Sequence, residues 1–338
     1  MKAAVLEAFH QPLKIRDIEM KDPGTDEVTV EVKAIGLCLS DVHISEGKVP
    51  TVRLPHVPGH EFSGVVAKTG SSVNEFKPGD RVSVNLDVIC GRCDHCLRGE
   101  TNLCSNLIRI GFERNGGMAE YVNVPARNLE KISERVSFEK AAILPDAVAT
   151  TYRAMKKIGG VGSGTKVAIL GIGGLGMQGI LIGRLLGAYV TATSRNDEKL
   201  DMARSLGADF VINTARDNFV EVAKKQVGAF DVVIDNIGTP ESVGESLAVL
   251  RNGGKLVEVG FAVPTFHAPF YDIVVKEKQI LGIRASSRSD FREVVDLVNQ
   301  GRIDPSIGES IPMGHVNQAL ENLKNGKYLT RNVLVLPF

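Results

Sequence analysis

Two short blocks near the start of the sequence carry side chains that could hold a metal ion. Cys38 lies in the first block, and His60 is followed by Glu61 in the second. Zinc, a borderline-soft metal, takes thiolate, imidazole and carboxylate ligands. Either Cys38 or His60 alone is more often a buried packing residue. Their combination in two glycine-flanked blocks predicts most of a catalytic zinc site.

A second chemically active group comprises four cysteines within fifteen residues, namely Cys90, Cys93, Cys96 and Cys104. This spacing lets one tight loop enclose a single ion in a closed tetrahedral thiolate site. A disulfide framework is the alternative, but we expect no secretory segment, and two zinc sites use all five cysteines of the chain. A zinc ribbon that binds nucleic acid is disfavoured by the balanced charge of the chain. We therefore predict a structural zinc site without a catalytic role.

A glycine-rich turn in the middle of the chain has the pattern of a dinucleotide-binding loop. Gly171, Gly173, Gly174 and Gly176 follow an apolar strand candidate and precede a helical pattern. Such glycines permit a tight turn and bring the backbone close to a pyrophosphate at the helix N-terminus. The strand candidates are 166–170, 189–193, 210–213, 230–235, 255–260 and 279–284. Six such strands with intervening helices predict a doubly wound parallel sheet, the Rossmann fold.

The segments on either side of this sheet position the two cysteine-containing groups. The first part of the chain alternates short β patterns with turns and predicts an all-β start. Its strand candidates are 2–9, 13–18, 28–35, 61–68, 81–84 and 119–124. Helical patterns follow at 137–144 and 147–158, joined at Pro145-Asp146. Two amphipathic helices at 290–299 and 316–323 and a strand at 332–336 end the chain.

The first zinc motif resembles the zinc-containing alcohol dehydrogenases of the medium-chain dehydrogenase/reductase superfamily. The residues that carry the resemblance are Cys38, Ser40, Asp41, His43, Gly59, His60, Glu61 and Gly64. The resemblance extends over the whole chain and implies an α/β protein of two domains. Residues 1–148 and 286–338 would form a β-rich, partly barrel-like (GroES-like) catalytic domain, and 149–285 the Rossmann domain. It also implies that the four-cysteine loop is the structural-zinc lobe of the family.

The third ligand of the catalytic zinc departs from the commoner family pattern. In many relatives it is a cysteine six residues before the Tyr of a Thr-Thr-Tyr sequence, and here Thr150-Thr151-Tyr152 puts Asp146 at that position. A carboxylate is a legitimate zinc ligand. The alternative for Asp146 is a helix N-cap. Glu61 is a rival ligand, because its position beside His60 allows it either to approach the metal directly or to contact one of the metal's ligands.

The resemblance also implies roles for several side chains around the metal. In the family, zinc lowers the pKa of the alcohol, and hydride passes from the carbinol carbon to the nicotinamide ring. Ser40 and His43 have the types and positions of the relay that carries the alcohol proton to solvent. Asp41 would orient His60 through its other ring nitrogen. Arg331 stands where relatives commonly contact the cofactor pyrophosphate, with a surface arginine as the alternative.

The residues after the second Rossmann strand bear on cofactor choice. In NAD-preferring relatives an acidic residue there accepts hydrogen bonds from the ribose hydroxyls. Here Ser194 takes that position, followed by Arg195 and Lys199. These cations suit a 2′-phosphate, so we expect NADP(H) to be preferred, with NAD(H) as the alternative. Asp197 could still contact the ribose, or the segment could be an ordinary polar loop.

Together these features predict a zinc-dependent alcohol dehydrogenase and aldehyde reductase with two zinc ions per chain. A polyol or sugar dehydrogenase of the same superfamily is the alternative. A nucleotide-binding zinc protein without turnover is remoter, since Cys38, Ser40, His43 and His60 are all present. We expect a small alcohol or aldehyde as substrate and, by resemblance, a homodimer or homotetramer. Balanced charge, 40 basic and 40 acidic residues, disfavours nucleic acid. The absence of a long apolar run disfavours a membrane and favours the cytoplasm.

Overall fold

The computed structural model describes residues 1–262 and 265–338, which form two compact units. The first unit comprises Met1–Ala149 and Ser286–Phe338, and the second comprises Thr150–Ala285. The first unit is therefore discontinuous in sequence, whereas the second is one segment. Each unit has its own sheet and its own apolar core.

The first unit is built around strand Glu27–Gly36, which pairs antiparallel with three other strands. Val30, Val32 and Ala34 of this strand are buried, whereas Glu31 and Lys33 between them are partly exposed. This alternation is typical of a strand with one face on the core. The sheet order is Ile307–Pro312, Arg331–Val335, Glu27–Gly36, Phe62–Thr69, Arg81–Val84 and Leu129–Lys131, with Tyr121–Pro125 paired to Glu27–Gly36.

Two small sheets and several short helices complete the first unit. The sheets pair Lys2–Val5 with Lys14–Asp17 and Asp87–Val88 with Ile108–Arg109. The α-helices are Leu39–Ser45, Asp94–Leu97, Phe138–Ala142, Arg288–Asn299 and Val316–Lys324. The 3₁₀ turns are Thr101–Leu103, Ala126–Asn128 and Met313–His315, and a π-type turn spans Leu144–Val148. The two amphipathic helices predicted near the end of the chain are thus confirmed.

The expectation of an all-β start is wrong at Leu39–Ser45, which forms a helix. The carboxylate of Asp41 accepts a hydrogen bond from the backbone N–H of Cys38, 3.1 Å away, and so caps the first turn. Val42 and Ile44 of the helix are buried. Seven residues are too few for helical periodicity to stand out, so the sequence pattern alone does not reveal this element.

The predicted break between two helices at Pro145-Asp146 is also wrong. Leu144–Val148 forms a π-type turn that leads directly into the helix Ala149–Tyr152. Pro145 lies at the beginning of this turn, where its missing N–H costs no hydrogen bond. The residue that precedes the turn is Ile143, so the N-cap alternative for Asp146 is excluded.

The second unit is a six-stranded parallel sheet with helices between the strands. Its strand order is Phe210–Asn213, Tyr189–Ser194, Lys166–Leu170, Phe230–Asp235, Leu250–Glu258 and Gln279–Gly282. The order reverses between Lys166–Leu170 and Phe230–Asp235, which is the switch point where doubly wound sheets bind ligands. The predicted Rossmann sheet is therefore confirmed.

The helices of the second unit follow the strands in sequence. The α-helices are Gly176–Leu185, Asp197–Leu206, Phe219–Gln226 and Pro240–Val249, and π-type turns span Arg153–Gly159 and Tyr271–Val275. Val167, Ala168 and Ile169 of the first strand are fully buried, as expected of a parallel strand covered on both faces. Across the described parts of both units, no helix combines the length and apolar character needed to cross a membrane.

Candidate functional site

Four side chains expected at the catalytic metal meet in the first unit. Cys38 precedes the helix Leu39–Ser45, and His60 and Glu61 precede the strand Phe62–Thr69. One ligand atom from each of Cys38, His60, Glu61 and Asp146 lies within 4.8 Å of the others. Cys38, His60 and Glu61 are buried, and the Asp146 side chain is 18% exposed. The structure thus brings together residues that are far apart in sequence.

Asp146 lies close to both of the other donors that favour zinc. Its Oδ2 atom is 3.6 Å from His60 Nε2 and 3.9 Å from Cys38 Sγ. The second ring nitrogen of His60, Nδ1, lies 3.4 Å from Asp41 Oδ1. Asp41 also accepts hydrogen bonds from the backbone N–H groups of Cys38 and Gly59. Asp41 therefore connects the two sequence blocks and is placed to orient the imidazole.

Glu61 approaches the cluster from a crowded side. A Cβ atom built on Gly36 would lie 2.1 Å from Glu61 Oε2, so a larger residue at position 36 would displace this carboxylate. Neither oxygen of Glu61 has a hydrogen-bond partner in the described part of the chain. A buried carboxylate without hydrogen bonds needs a cation nearby.

Arg331 supplies one such cation, and its side chain is buried. Its Nη2 atom lies 2.9 Å from Glu61 Oε1 and 3.5 Å from Asp146 Oδ2, as ion pairs that lack hydrogen-bond alignment. Its Nη1 atom donates to the carbonyl of Leu37 at 3.0 Å. The side chain is only 5% exposed, so the alternative of a surface arginine is wrong. Contact with a cofactor pyrophosphate stays a prediction.

The charges of this cluster fit a divalent cation. When all three groups are ionised, the thiolate of Cys38 and the carboxylates of Glu61 and Asp146 carry three negative charges, of which Arg331 balances one. A buried excess of two negative charges is unfavourable, and the sulfur, nitrogen and oxygen donors are those of zinc. Without a metal, burial raises the pKa of Glu61 well above its ordinary value. Burial lowers the pKa of His60, but Asp41 and Asp146 outweigh burial and raise that pKa well above its ordinary value. The cluster thus favours binding of a proton at positions that could bind a metal cation instead.

Ser40 and His43 lie on the helix that begins beside Cys38. Residues three positions apart share one face of a helix. Ser40 Oγ is half-buried and lies 3.6 Å from Cys38 Sγ, whereas His43 is exposed. The hydroxyl is therefore next to the metal cluster and the imidazole is nearer to solvent, which is the order that a proton relay requires. Their catalytic roles stay predictions.

The four cysteines of the second group also converge. The Sγ atoms of Cys90, Cys93, Cys96 and Cys104 lie within 4.8 Å of one another, and those of Cys93 and Cys104 are 4.0 Å apart. Tetrahedral zinc with bonds of about 2.3 Å separates sulfur atoms by about 3.8 Å. Backbone amides of Cys96 and Ser105 lower the pKa of Cys93 to about 6, which favours the thiolate. All five cysteines are free, so the disulfide alternative is wrong.

The glycine-rich turn in the second unit has the geometry of a phosphate cradle. Gly171 has a φ angle of +78°, which disfavours other residues. A Cβ atom on Gly176 would lie 2.4 Å from the carbonyl oxygen of Gly171, whereas one on Gly173 would meet nothing within 4 Å. The turn, which also contains Gly174, leads into the helix Gly176–Leu185. A pyrophosphate therefore fits above Gly173 at the helix N-terminus.

The predicted cofactor-selecting residues lie at the end of strand Tyr189–Ser194. Arg195 is exposed, and Lys199 is half-buried in the first turn of the helix Asp197–Leu206. Burial lowers the pKa of Lys199. In residues 1–262 and 265–338, neither cation forms an ion pair with a carboxylate. Two unpaired cations at this position fit an anionic ligand.

The sequence offers Asp197 as a possible ribose ligand and contains no signal for its partner, Arg216. Arg216 donates from Nη1 and Nη2 to the two oxygens of Asp197, at 2.8 Å and 2.7 Å. Asn213 donates to the same carboxylate at 2.8 Å. These contacts depend on the pairing of two neighbouring strands, for which the sequence contains no local signal.

Comparison with known proteins agrees with these features. Residues 24–134 match the alcohol dehydrogenase GroES-like domain family, and 174–300 match the zinc-binding dehydrogenase family. The predicted GroES-like domain is thus confirmed. An alcohol dehydrogenase from Geobacillus stearothermophilus is 35% identical over 336 residues, covering 99% of each chain.

Solved structures extend the similarity to the whole fold. An NAD-dependent alcohol dehydrogenase superposes with a TM-score of 0.93 at 32% identity and covers 100% of both chains. A zinc-binding dehydrogenase from Sinorhizobium meliloti 1021, solved bound to NADP, has a TM-score of 0.91 at 30% identity and 99% coverage of both chains. The chain therefore belongs to the zinc-containing alcohol dehydrogenases of the medium-chain dehydrogenase/reductase superfamily.

Proposed function

We propose that this alcohol dehydrogenase is zinc-dependent, prefers NADP(H) and interconverts a small alcohol and its aldehyde. The observation that carries the proposal is the buried cluster of Cys38, His60 and Asp146, with Ser40 beside it. This combination supplies metal ligands and a proton acceptor at one place. A nucleotide-binding zinc protein without turnover would not need the hydroxyl there.

The metal would be held by Cys38, His60 and Asp146. Glu61 is the reserve ligand, because its Oε1 atom already lies 2.9 Å from Arg331. Zinc held at this position supplies a Lewis acid that favours the alkoxide form of the substrate. Asp41 Oδ1 lies 3.4 Å from His60 Nδ1, so Asp41 would orient the imidazole from that side. A second zinc at the four-cysteine site would stabilise the fold.

The proton of the alcohol leaves through the chain's own residues. Ser40 Oγ would accept it and pass its own proton outward along the same helix face. His43, which is exposed, would release the proton to solvent. The half-buried hydroxyl thereby serves as the acceptor inside, and the imidazole exchanges with water outside.

The cofactor would lie on the carboxyl edge of the second unit's sheet. The Gly171–Gly176 turn would hold the pyrophosphate, and the nicotinamide ring supplies the hydride acceptor. Arg195 and Lys199 support NADP(H), because no carboxylate of the described residues pairs with them and Asp197 is engaged by Arg216. The similar Sinorhizobium protein was solved with NADP, whereas another similar protein is NAD-dependent.

An assembly of two or four copies is part of the proposal. The second unit exposes large apolar side chains, including Phe261 at 87%, Phe270 at 86% and Val274 at 67%. Its edge strand Gln279–Gly282 has one side without a paired strand in the described residues. Exposed apolar side chains and a free strand edge each favour burial against another copy. Light scattering after size-exclusion chromatography should give a dimer or tetramer, and Phe270→Asp should weaken it.

A polyol or sugar dehydrogenase remains the second candidate. The observation that favours it is the carboxylate of Asp146 at the third ligand position. Turnover of simple primary alcohols should exceed turnover of sorbitol or xylitol if the first proposal holds. The opposite ranking would favour the polyol assignment.

The cofactor proposal is tested by following absorbance of the reduced cofactor during alcohol oxidation. NADP should give a kcat/KM about ten- to a hundredfold higher than NAD, because each charge-assisted hydrogen bond is worth roughly 1.5–3 kcal/mol. Arg195→Ala should weaken NADP use and spare NAD, and Ser194→Asp should shift preference toward NAD. Lys224→Ala, an exposed cation on another helix, is the matched control. A wild-type preference for NAD would refute the proposal.

A further inference from the structure

A hydrogen-bonded network lies where the second and third strands of the dinucleotide unit end. Ser194 and Asn213 stand opposite each other in the parallel register of these strands. Asn213 is 5% exposed and donates to Asp197 Oδ1 at 2.8 Å. Its own Oδ1 atom accepts from the backbone N–H of Ala215 at 2.9 Å. The buried amide thus fixes both the loop and the carboxylate.

Arg216 completes this network by pairing with both oxygens of Asp197. The two Nη–Oδ distances are 2.8 Å and 2.7 Å, the geometry of a bidentate guanidinium–carboxylate pair. Hydrogen bonds from Asn213 and then from Arg216 lower the pKa of Asp197 below its ordinary value. Asp197 is therefore a charged group with both oxygens occupied.

The location of Asp197 gives this pair a consequence for cofactor choice. It lies three residues after Ser194, at the strand end where the adenosine ribose of a dinucleotide is expected. A free carboxylate there would accept hydrogen bonds from ribose hydroxyls and repel a 2′-phosphate. A carboxylate that is already paired with an arginine accepts such hydrogen bonds less readily and repels a 2′-phosphate less strongly.

We infer that Arg216 is a positioning residue for cofactor selection, which holds Asp197 so that a 2′-phosphate meets Arg195 and Lys199 without an opposing free carboxylate. The inference rests on the proposed NADP(H) preference and names the device behind it. Arg216 acts through the charge of Asp197 and is not itself a phosphate ligand. The net charge of the Asp197–Arg216 pair should then set the order in which variants of these two residues bind a 2′-phosphate.

The four charge states can be made in the full-length, zinc-loaded protein. The wild-type pair is neutral, Arg216→Ala leaves one negative charge, Asp197→Asn leaves one positive charge, and the double variant is again neutral. Binding of 2′,5′-ADP and 5′-AMP to each is measured by isothermal titration calorimetry. These fragments differ in the 2′-phosphate and need no turnover.

We expect Arg216→Ala to weaken 2′,5′-ADP binding about three- to tenfold and Asp197→Asn to strengthen it a few-fold, because exposed charges in water interact modestly. The double variant should bind like the wild type, within about twofold. Binding of 5′-AMP should improve or stay equal in Arg216→Ala. Raising ionic strength to 0.5 M should compress these differences, because the Debye length becomes shorter than about 5 Å.

A double variant that binds 2′,5′-ADP as poorly as Arg216→Ala would overturn the inference, since Arg216 would then be a direct ligand. Equal affinity in all four proteins would also overturn it. Lys224→Ala controls for a change in net charge elsewhere, and thermal denaturation controls for folding. The proposed NADP(H) preference is tested separately. Equal affinity of the wild-type protein for 2′,5′-ADP and 5′-AMP would refute that preference.

Discussion

The guanidinium of Arg331 lies 2.9 Å from a carboxylate oxygen of Glu61, with 5% and 0% of the two side chains exposed. Arg331 begins strand Arg331–Val335, and Glu61 precedes strand Phe62–Thr69. Arg331–Val335 pairs with one side of strand Glu27–Gly36, and Phe62–Thr69 pairs with its other side. The central strand therefore brings a residue near the end of the chain to the cluster formed by the first block.

Replacing Arg331 by methionine should destabilise the first unit strongly. Glu61 would remain buried without its cation, which typically costs about 3–5 kcal/mol. Urea denaturation of the zinc-saturated protein measures the loss. Arg331→Lys, which keeps the charge, should lose less, and adding Glu61→Gln to Arg331→Met should recover part of the stability. An unchanged unfolding midpoint in Arg331→Met would show that the pair contributes nothing.

Asp146→Ala should lower zinc occupancy of the Cys38 site more than Glu61→Ala does. Asp146 Oδ2 lies within 4 Å of both His60 Nε2 and Cys38 Sγ, and Arg331 Nη2 is farther from it, at 3.5 Å, than from Glu61 Oε1, at 2.9 Å. Elemental analysis after dialysis against a weak chelator gives the occupancy, starting from two zinc ions per wild-type chain. The reverse order would assign the ligand role to Glu61.

Loss of the four-cysteine site should affect stability more than chemistry. Cys93→Ala should retain one zinc per chain and unfold with a loss on the order of 4 kcal/mol, since structural zinc contributes folding energy directly. Cys38→Ala should also retain one zinc but mainly lose activity. Comparable stability of the two variants, measured by denaturation, would contradict this division of roles.

Local spacing predicts the parts of the site that are local in the chain. The four cysteines fall within one loop, and the glycine-rich turn joins one strand to one helix, so their geometry follows from neighbouring residues. The fold of the second unit follows for the same reason, because its strands and helices alternate in order. Only the resemblance to a family motif predicts Asp146 as a metal ligand.

The contacts that sequence reasoning missed all depend on strand pairing. Arg331 reaches Glu61 because Val333 stands opposite Gly36 in the sheet, a register that no local pattern encodes. Arg216 reaches Asp197 because the second and third Rossmann strands are neighbours. Arg331 is thus a buried partner of Glu61, and Asp197 is already paired with Arg216. Residue type alone predicts neither pairing.

Ser40→Ala should reduce alcohol turnover more than His43→Gln. The Ser40 hydroxyl is half-buried beside Cys38, where water is a poor substitute, while His43 is exposed and water can replace it. General acid–base groups contribute roughly 10²–10⁴-fold, so we expect a loss of about a hundredfold or more for Ser40→Ala and about tenfold for His43→Gln. Steady-state kinetics at saturating cofactor tests the order. Unchanged turnover in Ser40→Ala would mean that the proton leaves by another route.

Glu258 should make the stability of the second unit depend on pH between about 4.5 and 8. It stands opposite Asp235 at the end of adjacent parallel strands. Asp235 accepts hydrogen bonds from the N–H groups of Ile237 and Gly238 and from the Ser242 hydroxyl. Oε1 of Glu258 is buried and has no hydrogen-bond partner among the residues that the structure describes. Burial and then the charge of Asp235 raise the pKa of Glu258 to about 8, from an ordinary value of 4.5.

The sign of the effect follows from proton binding. Between pH 4.5 and pH 8 the folded protein keeps the Glu258 proton that the unfolded chain has released, so the free energy of unfolding falls as pH rises through this window. Because the side chain is only partly buried, solvent screening reduces the total loss to about 1–2 kcal/mol. Glu258→Gln cannot ionise, so it should be more stable than the wild type at pH 9 and similar to it at pH 5. Urea denaturation at both pH values measures the difference, with Glu198→Gln as a control at an exposed carboxylate. An equal stability difference between Glu258→Gln and wild type at pH 5 and pH 9 would show that Glu258 does not titrate in this range.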